Sequence, residues 1–481
     1  MTEWEPVIGL EIHVQLNTKS KLFSSAPNRF GDDPNTNITT ICTGQPGALP
    51  LLNKEAVRKA VQFGLSVGGK VHLESRFDRK SYFYPDSPRN FQITQFDMPI
   101  ITGGQVVAEV GDTTKTFSIN RVHLEDDAGM LKHFSSFAGV DYNRAGAPLI
   151  EIVSEPCIHS PQEAAAYAMA IRLIMLYLDA SDCNMEEGSL RFDVNVSVRR
   201  KGEQGLRPKV EIKNMNSFTF LEMAASTEIR RQIALYIDHP DRPYHELIPS
   251  GTYRWDPDRK EITLMRRKET ADDYRYFPEP DLLPLILNQE WIDQIRSILP
   301  ELPADRLNRY INDLGISAYS ASVLIHDKII CDYFEQALTF NVTPSMLCNW
   351  ITVEFAGRLK DKGLSLSSLG IPPAHVAKLV RMIEENRITG RIAKSVADEM
   401  VEEPTTDPEL IVQRNPDYQP VDNVGELEPL VDQILRDHAQ SVADYKSGHQ
   451  KAFAFLVGQV MKLTRGKASP QVVNDLLRKK I

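Results

Sequence analysis

Ionisable side chains stand at every second position in several short segments of this 481-residue sequence. In residues 7–16 the even positions are all apolar, whereas the odd positions include Glu11 and His13. Around Arg191 and Asp193 the same alternation sets polar and charged residues against Leu, Phe and Val. Successive side chains of a β-strand point to opposite faces of its sheet. Each segment therefore predicts a strand with one apolar face and one ionisable face.

Three further segments carry ionisable residues of the same kind. Glu125 lies in one and Lys213 in another, each alternating with valine, leucine or isoleucine. The third segment places Glu151 inside an otherwise apolar run, where an unpaired carboxylate is costly to bury. The segments are residues 121–125, 209–213 and 148–153. The polar faces of the first two also carry Arg121, His123, Lys209 and Glu211.

Carboxylate and imidazole groups beside ammonium and guanidinium groups on one sheet face suit a hard divalent cation bound together with phosphates. The alternative is an antiparallel sheet with one solvated face, on which the same residues form ordinary ion pairs. Strong strand formers such as Thr and Tyr are scarce on these polar faces, and Glu151 lies among apolar residues. Both observations favour a metal and phosphate site, while the structural alternative stays open.

The wider pattern predicts an α+β protein: a mixed or antiparallel-sheet domain, then an all-helical domain, then a small helical tail domain. Short alternating runs extend to about residue 290 and are interrupted by one clear helix. Ser160 and Glu163 form the capping box at the start of this helix, with Pro161 at its first position. The expected domains are residues 1–290, 291–403 and 404–481.

After residue 290 the pattern is helical. A proline-rich acidic stretch, 402–420, predicts a linker. The last 60 or so residues predict short helices separated by Gly448, Gly458 and Gly466. The helices expected before the linker are 291–298, 304–314, 321–340 and 346–359.

No familiar phosphate-binding loop accounts for the ionisable strands. Residues 64–71 resemble one, but Val71 stands where a magnesium-binding Ser or Thr is required. Residues 53–63 predict a helix that ends at these glycines, whereas a phosphate loop must open a helix. The serine pairs of the sequence lack the glycine-rich turn that positions an amidase nucleophile. A phosphate site must therefore be assembled from separate strands.

Composition excludes several classes of protein. Hydrophobic residues make up 42% and charged residues 25% of the chain, which is typical of a globular protein. No apolar run reaches the roughly 20 residues that a membrane span needs, and the first residues lack the features of a signal peptide. The five cysteines are far apart, so neither a disulfide framework nor a zinc site is expected. We therefore expect a cytoplasmic protein.

Charge is distributed unevenly along the chain. The net charge of −10 argues against general coating of nucleic acid. Residues 398–444 contain 13 acidic and 2 basic residues, whereas 445–481 contain 8 basic residues and the single acid Asp475. The tail therefore predicts a local polyanion-binding site, although a solvated lysine-rich helix face explains the same pattern. The basic residues concerned are Lys446, Lys451, Lys462, Arg465 and Lys467.

Nine ordered blocks of the sequence form a recognisable series of motifs. The opening block is Val7-Ile8-Gly9-Leu10-Glu11-Ile12-His13-Val14-Gln15-Leu16. The other blocks are 44–50, 79–86, 123–129, 148–156, 185–191, 211–218, 272–281 and 466–470. In these blocks the sequence resembles the B subunits of the bacterial aspartyl/glutamyl-tRNA amidotransferases. The resemblance covers essentially the whole chain, and the related archaeal E subunit carries an inserted domain for which 481 residues leave little room.

The resemblance implies a cradle domain with an ATP and magnesium site, a helical domain and a YqeY-like tail that binds tRNA through the basic residues named above. It implies a heterotrimer in which an amidase A subunit releases ammonia from glutamine and a small C subunit joins the other two. The B subunit then phosphorylates the side-chain carboxyl of glutamate on tRNA(Gln) or aspartate on tRNA(Asn), and ammonia arriving through a channel displaces the phosphate. The resemblance does not decide between these two tRNAs.

Carried over by motif, the magnesium ligands are His13, Glu125 and Glu151, with Glu11 close by as a catalytic residue. Other roles follow from the same resemblance. Lys213 and Arg191 are implied to face phosphate oxygens of ATP, and Asp193 to hold a second metal or a water. Each of these three is equally explained as a member of a surface ion pair. Because ammonium must lose a proton before it attacks, an acid is expected near the channel exit, either Glu125 or Glu187.

One departure from the family concerns zinc. Many of its members carry paired cysteines before the turn at Gly44 and bind zinc there, but here Cys42 stands alone beside threonines. We therefore expect no zinc.

Two other functions remain open at this stage. One is a non-catalytic tRNA-binding scaffold, and the other is a stand-alone metal-dependent kinase acting on a small carboxylate.

Overall fold

The computed structural model describes residues 3–267, 271–418, 424–464 and 467–481. The chain forms two compact units, Met1–Ala304 and Asp305–Ile481. The first combines β-sheets with helices and the second is built from helices, which confirms the predicted α+β class. The division into three domains stays a prediction. Within the described ranges no helix is long and apolar enough to cross a membrane.

The strands lie in the first unit and form a principal sheet with smaller sheets beside it. Among the smaller ones, β9 and β10 form a hairpin, β16 pairs with β4 and β4 with β5, and β17 pairs with β3. Strands β1 to β17 are, in order, Trp4–Gln15, Lys70–Val71, Glu74–Ser75, Asp78–Ser81, Phe91–Thr94, Ile101–Thr102, Gln105–Val110, Thr113–Asp126, Met130–His133, Ala138–Asp141, Pro148–Ser154, Leu190–Arg200, Val210–Met215, Gly251–Asp256, Glu261–Arg267, Phe277–Pro278 and Leu285–Ile286.

The helices are numbered in the same way. A π-helix, Trp350–Phe355, joins α10 to α11, and a 3₁₀ helix, Pro416–Tyr418, follows α15. Helices α1 to α19 are, in order, Lys54–Ser66, Pro161–Tyr177, Phe218–Asp238, Tyr244–Leu247, Ala271–Tyr274, Gln289–Ser297, Pro303–Asn312, Ala318–Ile325, Lys328–Leu338, Pro344–Asn349, Ala356–Lys360, Leu366–Leu369, Pro373–Glu384, Gly390–Glu402, Pro408–Arg414, Val424–Asp437, Ala439–Lys446, Gln450–Leu463 and Pro470–Lys480.

The principal sheet has the strand order β15-β14-β13-β12-β1-β11-β8-β6-β2, and β7 pairs with β8. Its centre, from β13 to β8, consists of the five strands that the alternating segments predicted, which confirms them. Each of these strands is antiparallel to its neighbours within the group. Segments far apart in the sequence are thereby placed side by side on one surface.

The apolar face of the sheet is covered by α2 and α3. Ile8, Leu10 and Ile12 of β1 are fully buried on this face, in one hydrophobic core with Tyr167 of α2 and Ala224 of α3. Burial of each large apolar side chain contributes about 1.5–3 kcal/mol. The core fixes which face of the sheet is left for the ionisable residues.

Two helices begin where the sequence predicted. The Ser160 hydroxyl accepts a hydrogen bond from the Glu163 amide at the start of α2, and the Asn53 side chain caps α1. Helix α1 ends at the glycines, as expected. The serine in the pattern Gly-x-Ser-x-Gly at residues 64–68 lies in the last turn of α1, where Ser66 Oγ donates to the Phe63 carbonyl. The segment is thus a helix end and not a nucleophile elbow.

Helix α3 was not predicted from the sequence. Polar residues interrupt its buried face, because Glu228 and Gln232 are both fully buried. Gln232 Nε2 donates to the Val196 carbonyl at 3.0 Å and to Glu228 Oε1 at 2.7 Å, and Arg231 pairs with Glu228 at 2.8 Å. Each buried polar side chain therefore has a hydrogen-bond or ionic partner. The same two residues interrupt the apolar periodicity by which a helix is identified in a sequence.

In the second unit the predicted helix 321–340 was wrong as a single element. It is divided between α8 and α9, because the Asp327 side chain accepts the amides of Ile329 and Ile330 and starts a new helix. Aspartate is a strong N-cap residue. The predicted helix 346–359 is confirmed as a helical path, with the π-helix in its middle.

The predicted linker 402–420 was also wrong in part, since it contains α15. Ile411 and Val412 of this helix are buried, and Arg414 pairs with Glu403 at 2.8 Å. In the tail Gly448 separates α17 from α18, as predicted, whereas Gly458 lies inside α18. The third expected break, Gly466, lies outside the described residues.

A buried lysine lies beside the lone Cys42. The Lys21 side chain is 1% exposed, and its Nζ donates to the Ala145 carbonyl at 2.6 Å and the Tyr142 carbonyl at 3.2 Å. It also lies 3.7 Å from Cys42 Sγ. Burial lowers the pKa of Lys21 against the opposing effect of Cys42. The ammonium thus ties the segment around Cys42 to the turn at residues 142–146.

We expect Lys21→Met to lower the free energy of unfolding by about 2–4 kcal/mol, because two carbonyls lose a buried donor. Urea denaturation followed by tryptophan fluorescence measures the effect. The matched control is Lys19→Met at an exposed position, where we expect little change. Equal stability of the two variants would show that the hydrogen bonds of Lys21 to the two carbonyls do not stabilise the fold.

Candidate metal and phosphate site

The register of the central strands places ionisable residues in rows across the open face of the sheet. His13 on β1 lies opposite Arg191 on β12 and opposite Glu151 on β11. Glu151 in turn lies opposite His123 on β8. Four strands therefore contribute one row, Arg191, His13, Glu151 and His123, in which the single carboxylate lies between two imidazoles.

The three predicted magnesium ligands lie together. His13 Nε2 is 3.2 Å from Glu151 Oε2 and 3.7 Å from Glu125 Oε1. One ligand atom from each residue lies within 4.8 Å of the other two. Glu125 is held by a hydrogen bond from Thr94 Oγ1 at 3.2 Å. This separation is compatible with three ligands of a single divalent cation.

His123 belongs to the same cluster, although the sequence predicted no role for it. Its Nε2 lies 3.5 Å from Glu151 Oε2 and 3.7 Å from Glu125 Oε2. Its Nδ1 is buried and has no hydrogen-bond partner among the described residues. The signal was its position on the polar face two residues before Glu125, but alternation alone does not distinguish a ligand from a neighbour.

The cluster is electrostatically coupled. Burial disfavours the protonated imidazole of His13, yet contacts with Glu151 and Glu125 outweigh burial and raise its pKa. The same opposition raises the pKa of His123 to about 9. Burial also disfavours the Glu151 carboxylate, but His123 and His13 outweigh burial and hold its pKa well below the usual range. The imidazoles thus stabilise buried carboxylates in the ionised form that a cation requires.

A second carboxylate cluster lies on the neighbouring strands. Glu11, Asp193 and Glu211 each place an oxygen within 4.8 Å of the others. Asn195 Nδ2 donates to Glu11 Oε1 at 2.9 Å. Burial and the nearby carboxylates raise the pKa of Glu11. Glu211 was not assigned from the sequence, although it had been placed on the polar face with Lys213.

Two lysines lie beside the two clusters. Lys213 Nζ is 2.6 Å from Asp193 Oδ2 and 3.4 Å from Glu211 Oε1. Lys80 on β4 lies with its Nζ 4.9 Å from the centre of the Tyr274 ring. Burial opposes the charge of Lys80, yet the carboxylates of Glu125 and neighbouring groups raise its pKa. Lys80 was missed because its short strand lies outside the principal sheet.

The position of Lys80 depends on a distant segment. The preceding residue, Arg79, forms a bidentate ion pair with Glu279, at 2.7 and 2.9 Å. These two residues are 200 positions apart, and β16 beside Glu279 pairs with β4. No local sequence pattern around Arg79 or Glu279 predicts a contact between residues so far apart.

Arg191 is oriented by a buried acid. Its Nη2 donates to both oxygens of Asp127 at 3.0 Å, and Gln15 Nε2 donates to Asp127 Oδ2 at 2.8 Å. Burial opposes the Asp127 carboxylate, but Arg144 and Arg191 lower its pKa. Arg191 already has an ionic partner in Asp127, so it would contact a phosphate with a guanidinium whose orientation is already fixed.

Glu187 lies in neither carboxylate cluster of the described residues. It lines a cavity of about 400 Å³ near the end of β1. Gln15, which holds Asp127, also lines this cavity. The cavity is therefore adjacent to the row of site residues while Glu187 stands apart from the predicted ligands. Its other lining residues include Arg29, Lys132, Arg144 and Ser189.

Three of the predicted tRNA contacts are on the tail helices α17 and α18, and Lys467 lies between α18 and α19. Lys446, Lys451 and Lys462 are exposed, and the latter two lie on one side of α18 because eleven residues make about three turns. Lys467 pairs with Asp417 at 2.5 Å. Arg465 lies outside the described residues.

The donor sets are suitable for magnesium. Glu11, Asp193 and Glu211 offer oxygen alone, which is what this hard cation prefers. The other set adds the imidazole of His13 to the carboxylates of Glu125 and Glu151, and the buried Nδ1 of His123 lies beside it. Carboxylates gathered this closely favour a cation at this face.

Comparison with known proteins identifies relatives over the full chain. Residues 6–293 match the family model of the GatB/GatE catalytic domain, and residues 332–481 match that of the GatB domain. The chain is 64% identical over 480 residues to the B subunit of the aspartyl/glutamyl-tRNA(Asn/Gln) amidotransferase of Protochlamydia amoebophila, covering 100% of this chain and 97% of the relative. It is 56% identical over 475 residues to the protein of that name in Chlamydia pneumoniae, covering 99% and 97%.

We expect Glu151→Gln to weaken Mn²⁺ or Mg²⁺ binding by about tenfold or more, because the variant removes a charged ligand. Titration of Mn²⁺ followed by electron paramagnetic resonance measures the change. Glu155→Gln is the control, since Glu155 is close in sequence and its side chain accepts from Asn120 instead. Equal affinity in both variants would exclude Glu151 as a ligand.

Proposed function

The chain belongs to the family of amidotransferase B subunits, and on that basis we propose that it carries out the ATP-dependent part of tRNA-linked amidation. The substrate is glutamate esterified to tRNA(Gln), aspartate esterified to tRNA(Asn), or both. The reaction phosphorylates the side-chain carboxyl and then replaces the phosphate with ammonia. The observation that carries the proposal is the pair of carboxylate clusters, flanked by lysines, on one sheet face.

The first step needs positioning more than proton transfer. The side-chain carboxylate of the substrate is already an anion, so its oxygen attacks the γ-phosphorus of ATP without a base. A bond forms between that oxygen and phosphorus, and the bond to the ADP oxygen breaks. Catalysis then consists of alignment and charge stabilisation. Lys213 supplies positive charge beside Asp193, Lys80 adds positive charge near Glu125, and Arg191 adds a guanidinium held by Asp127.

Magnesium is the cation that this chemistry requires. His13, Glu125 and Glu151 would hold one ion, and Glu11, Asp193 and Glu211 are suited to a second. When bound, the metal supplies neutralisation of phosphate charge. Without the ion, the imidazoles of His13 and His123 outweigh burial and lower the pKa of Glu125 and Glu151. His13 must lose its proton before its nitrogen can bind the ion.

The second step consumes ammonia. Its nitrogen attacks the carbonyl carbon of the acyl phosphate, and inorganic phosphate leaves. Ammonium must first lose a proton, and the carboxylates of Glu125 and Glu187 are the groups to test as its acceptor. The position of Glu187 in the cavity next to Gln15 supports its candidacy, while Glu125 lies inside the metal cluster.

Partners follow from the same proposal. The ammonia comes from an amidase A subunit, and a small C subunit completes a heterotrimer. The basic residues of α17 and α18 bind the phosphate backbone of tRNA. The relatives are named as B subunits, which supports an assembly with other subunits.

We expect His13→Ala and Glu125→Ala to reduce ATP-dependent amidation by at least about 100-fold, because each removes a ligand of the ion that would neutralise phosphate charge. The assay is the conversion of Glu-tRNA(Gln) and Asp-tRNA(Asn) by the chain reconstituted with A and C subunits. Affinity for tRNA, measured by filter binding, should stay unchanged. Retained amidation would favour the non-catalytic scaffold, and activity on a small carboxylate without the tail would favour the kinase.

We expect Lys451→Ala combined with Lys462→Ala to weaken tRNA binding and to reduce the slope of log K against log salt by about 2. Binding measured over a series of salt concentrations gives the slope. Lys480→Ala is the control, because Lys480 already pairs with Asp432 at 2.8 Å. An unchanged slope in the double variant would leave these lysines as a solvated helix face.

A further inference from the structure

Lys21 and Cys42 form a buried pair that the proposed reaction does not use. Lys21 is 1% exposed and Cys42 is 4% exposed, and Lys21 Nζ lies 3.7 Å from Cys42 Sγ. The two residues are 21 positions apart, so the fold brings them together. An amine and a thiolate are both nucleophiles. The pair therefore holds two groups of covalent reactivity in contact.

Two hydroxyl groups surround the sulfur of Cys42. Ser24 Oγ lies 3.2 Å from Sγ, and Thr39 Oγ1 lies 3.5 Å from it. Burial opposes the thiolate, but these hydroxyls and the Lys21 ammonium outweigh burial and lower the pKa of Cys42. In Cys183 burial prevails and raises the pKa to about 11. Because peroxides oxidise the thiolate form, Cys42 is the more reactive of these two buried sulfurs.

Cys42 lies close to the protein surface although its own side chain is covered. The half-buried Thr39 contacts its sulfur, and residues 44–47 are exposed. The segment around Cys42 consists of turns, in which the Thr43 amide donates to the Thr39 carbonyl at 3.3 Å. Rotation of the Thr39 side chain to another rotamer is a movement that would admit a molecule as small as hydrogen peroxide.

Oxidation of Cys42 would change the charge balance at Lys21. Burial lowers the pKa of Lys21, and the charge of Cys42 is the largest effect that opposes burial. A sulfenic acid at Cys42 lacks the charge of the thiolate, so its formation favours the neutral amine of Lys21. Sulfenic acids condense with nitrogen groups to form sulfenamides. The amine would then lie in contact with a sulfur that it can attack.

We propose that Lys21 and Cys42 form an oxidative modification site, at which hydrogen peroxide joins the two side chains through a sulfur–nitrogen bond. In the first step the Cys42 thiolate attacks one oxygen of the peroxide, and the oxygen–oxygen bond breaks. The departing hydroxide takes a proton from the Lys21 ammonium and becomes water. The products of this step are a sulfenic acid on Cys42 and the free amine of Lys21.

The second step is a condensation. The lone pair of the Lys21 amine attacks Sγ of Cys42, and the sulfur–oxygen bond breaks. Hydroxide leaves and takes one proton from the nitrogen, so a second water forms. Sulfur is oxidised by two electrons, and one molecule of peroxide is reduced to two of water. The product is a sulfenamide between Lys21 and Cys42.

The new bond would also change how Lys21 holds the turn beside the candidate site. The ammonium donates to the Ala145 carbonyl at 2.6 Å and to the Tyr142 carbonyl at 3.2 Å. The sulfenamide nitrogen retains a single N–H, so one carbonyl loses its donor. In the same turn the Gly146 amide donates to the Asp127 carbonyl at 2.8 Å. Oxidation would therefore alter the support of a residue that orients the arginine of the candidate site.

The test is peptide mass spectrometry of the full chain after brief treatment with hydrogen peroxide in the presence of a metal chelator. Trypsin cuts the reduced chain after Lys21 and places Cys42 in peptide 30–54. The expected product joins peptide 20–29, uncut at Lys21, to peptide 30–54, with a mass about 2 Da below the sum of the two. Dithiothreitol added before digestion should abolish the joined product, because a thiol displaces the amine from sulfur.

Three variants assign the two atoms. Lys21→Arg keeps a positive charge and hydrogen-bond donors, but its guanidinium stays protonated, so Cys42 should gain oxygen without a joined product. Cys42→Ser removes the sulfur and should also give no joined product. Lys19→Arg is the matched control, because Lys19 is exposed and two positions away, and it should behave like the wild type. Thermal unfolding checks that each variant is folded.

The wild type decides the inference by itself, even if Lys21→Arg does not fold. Oxidation of Cys42 to sulfinic acid with Lys21 still cut by trypsin would overturn the inference. An unmodified Cys42 in a sample whose half-buried Cys157 is oxidised would overturn it as well.

Two further results test how the bond forms. A joined product about 14 Da heavier than the sum of the two peptides would retain an oxygen between nitrogen and sulfur and would overturn the condensation step. An equal yield of joined product in concentrated urea would show that the fold does not position the pair. Both measurements are independent of amidation, so they leave the proposed function untouched.

Discussion

The antiparallel register of β8, β11, β1 and β12 is the constraint on which the candidate site depends. It aligns His123, Glu151, His13 and Arg191 in one row across four strands. Because strand side chains alternate with period two, a slip of one residue in any strand would turn its ligand into the core and an apolar residue outward. The hydrophobic core under α2 and α3 therefore specifies the chemistry on the opposite face. The strand register thus determines both the packing of the apolar core and the arrangement of the ionisable residues on the opposite face.

The site is balanced by the protein's own charges. Carboxylates buried on the sheet face are compensated by His13 and His123 in one cluster and by Lys213 in the other. Such compensation keeps a desolvated acidic face compatible with folding. Under the proposed function, cations and phosphates that bind here would exchange partners with side chains already in contact. Part of the binding free energy is then used to rearrange ion pairs such as that of Lys213 with Asp193.

Sequence alone was sufficient for features governed by local pattern. Alternation identified the five central strands, and motif resemblance grouped His13, Glu125 and Glu151, which lie within 4.8 Å of one another, while their role as metal ligands stays a prediction. The sequence was not sufficient for residues that long-range contacts bring to the site. Lys80 comes near the cluster from a separate small sheet. Glu211 becomes a neighbour of Glu11 only through the order of the strands. Helix α3 was missed because buried Glu228 and Gln232 find partners that a one-dimensional pattern does not contain. The split of α8 from α9 depended on a single capping aspartate.

The pairing of β4 with β16 has a consequence for synthesis on the ribosome. The ion pair of Arg79 cannot form until Glu279 has been synthesised, 200 residues later. At ordinary elongation rates this takes about 10–40 s. During that interval one edge of β4 is unpaired, and Lys80 lacks the segment that fixes its place. A nascent chain released early would expose this edge to chaperones and proteases. Completion of the candidate site is thus coupled to translation of nearly the entire first unit, so that a prematurely terminated chain lacks a segment that positions one of its lysines.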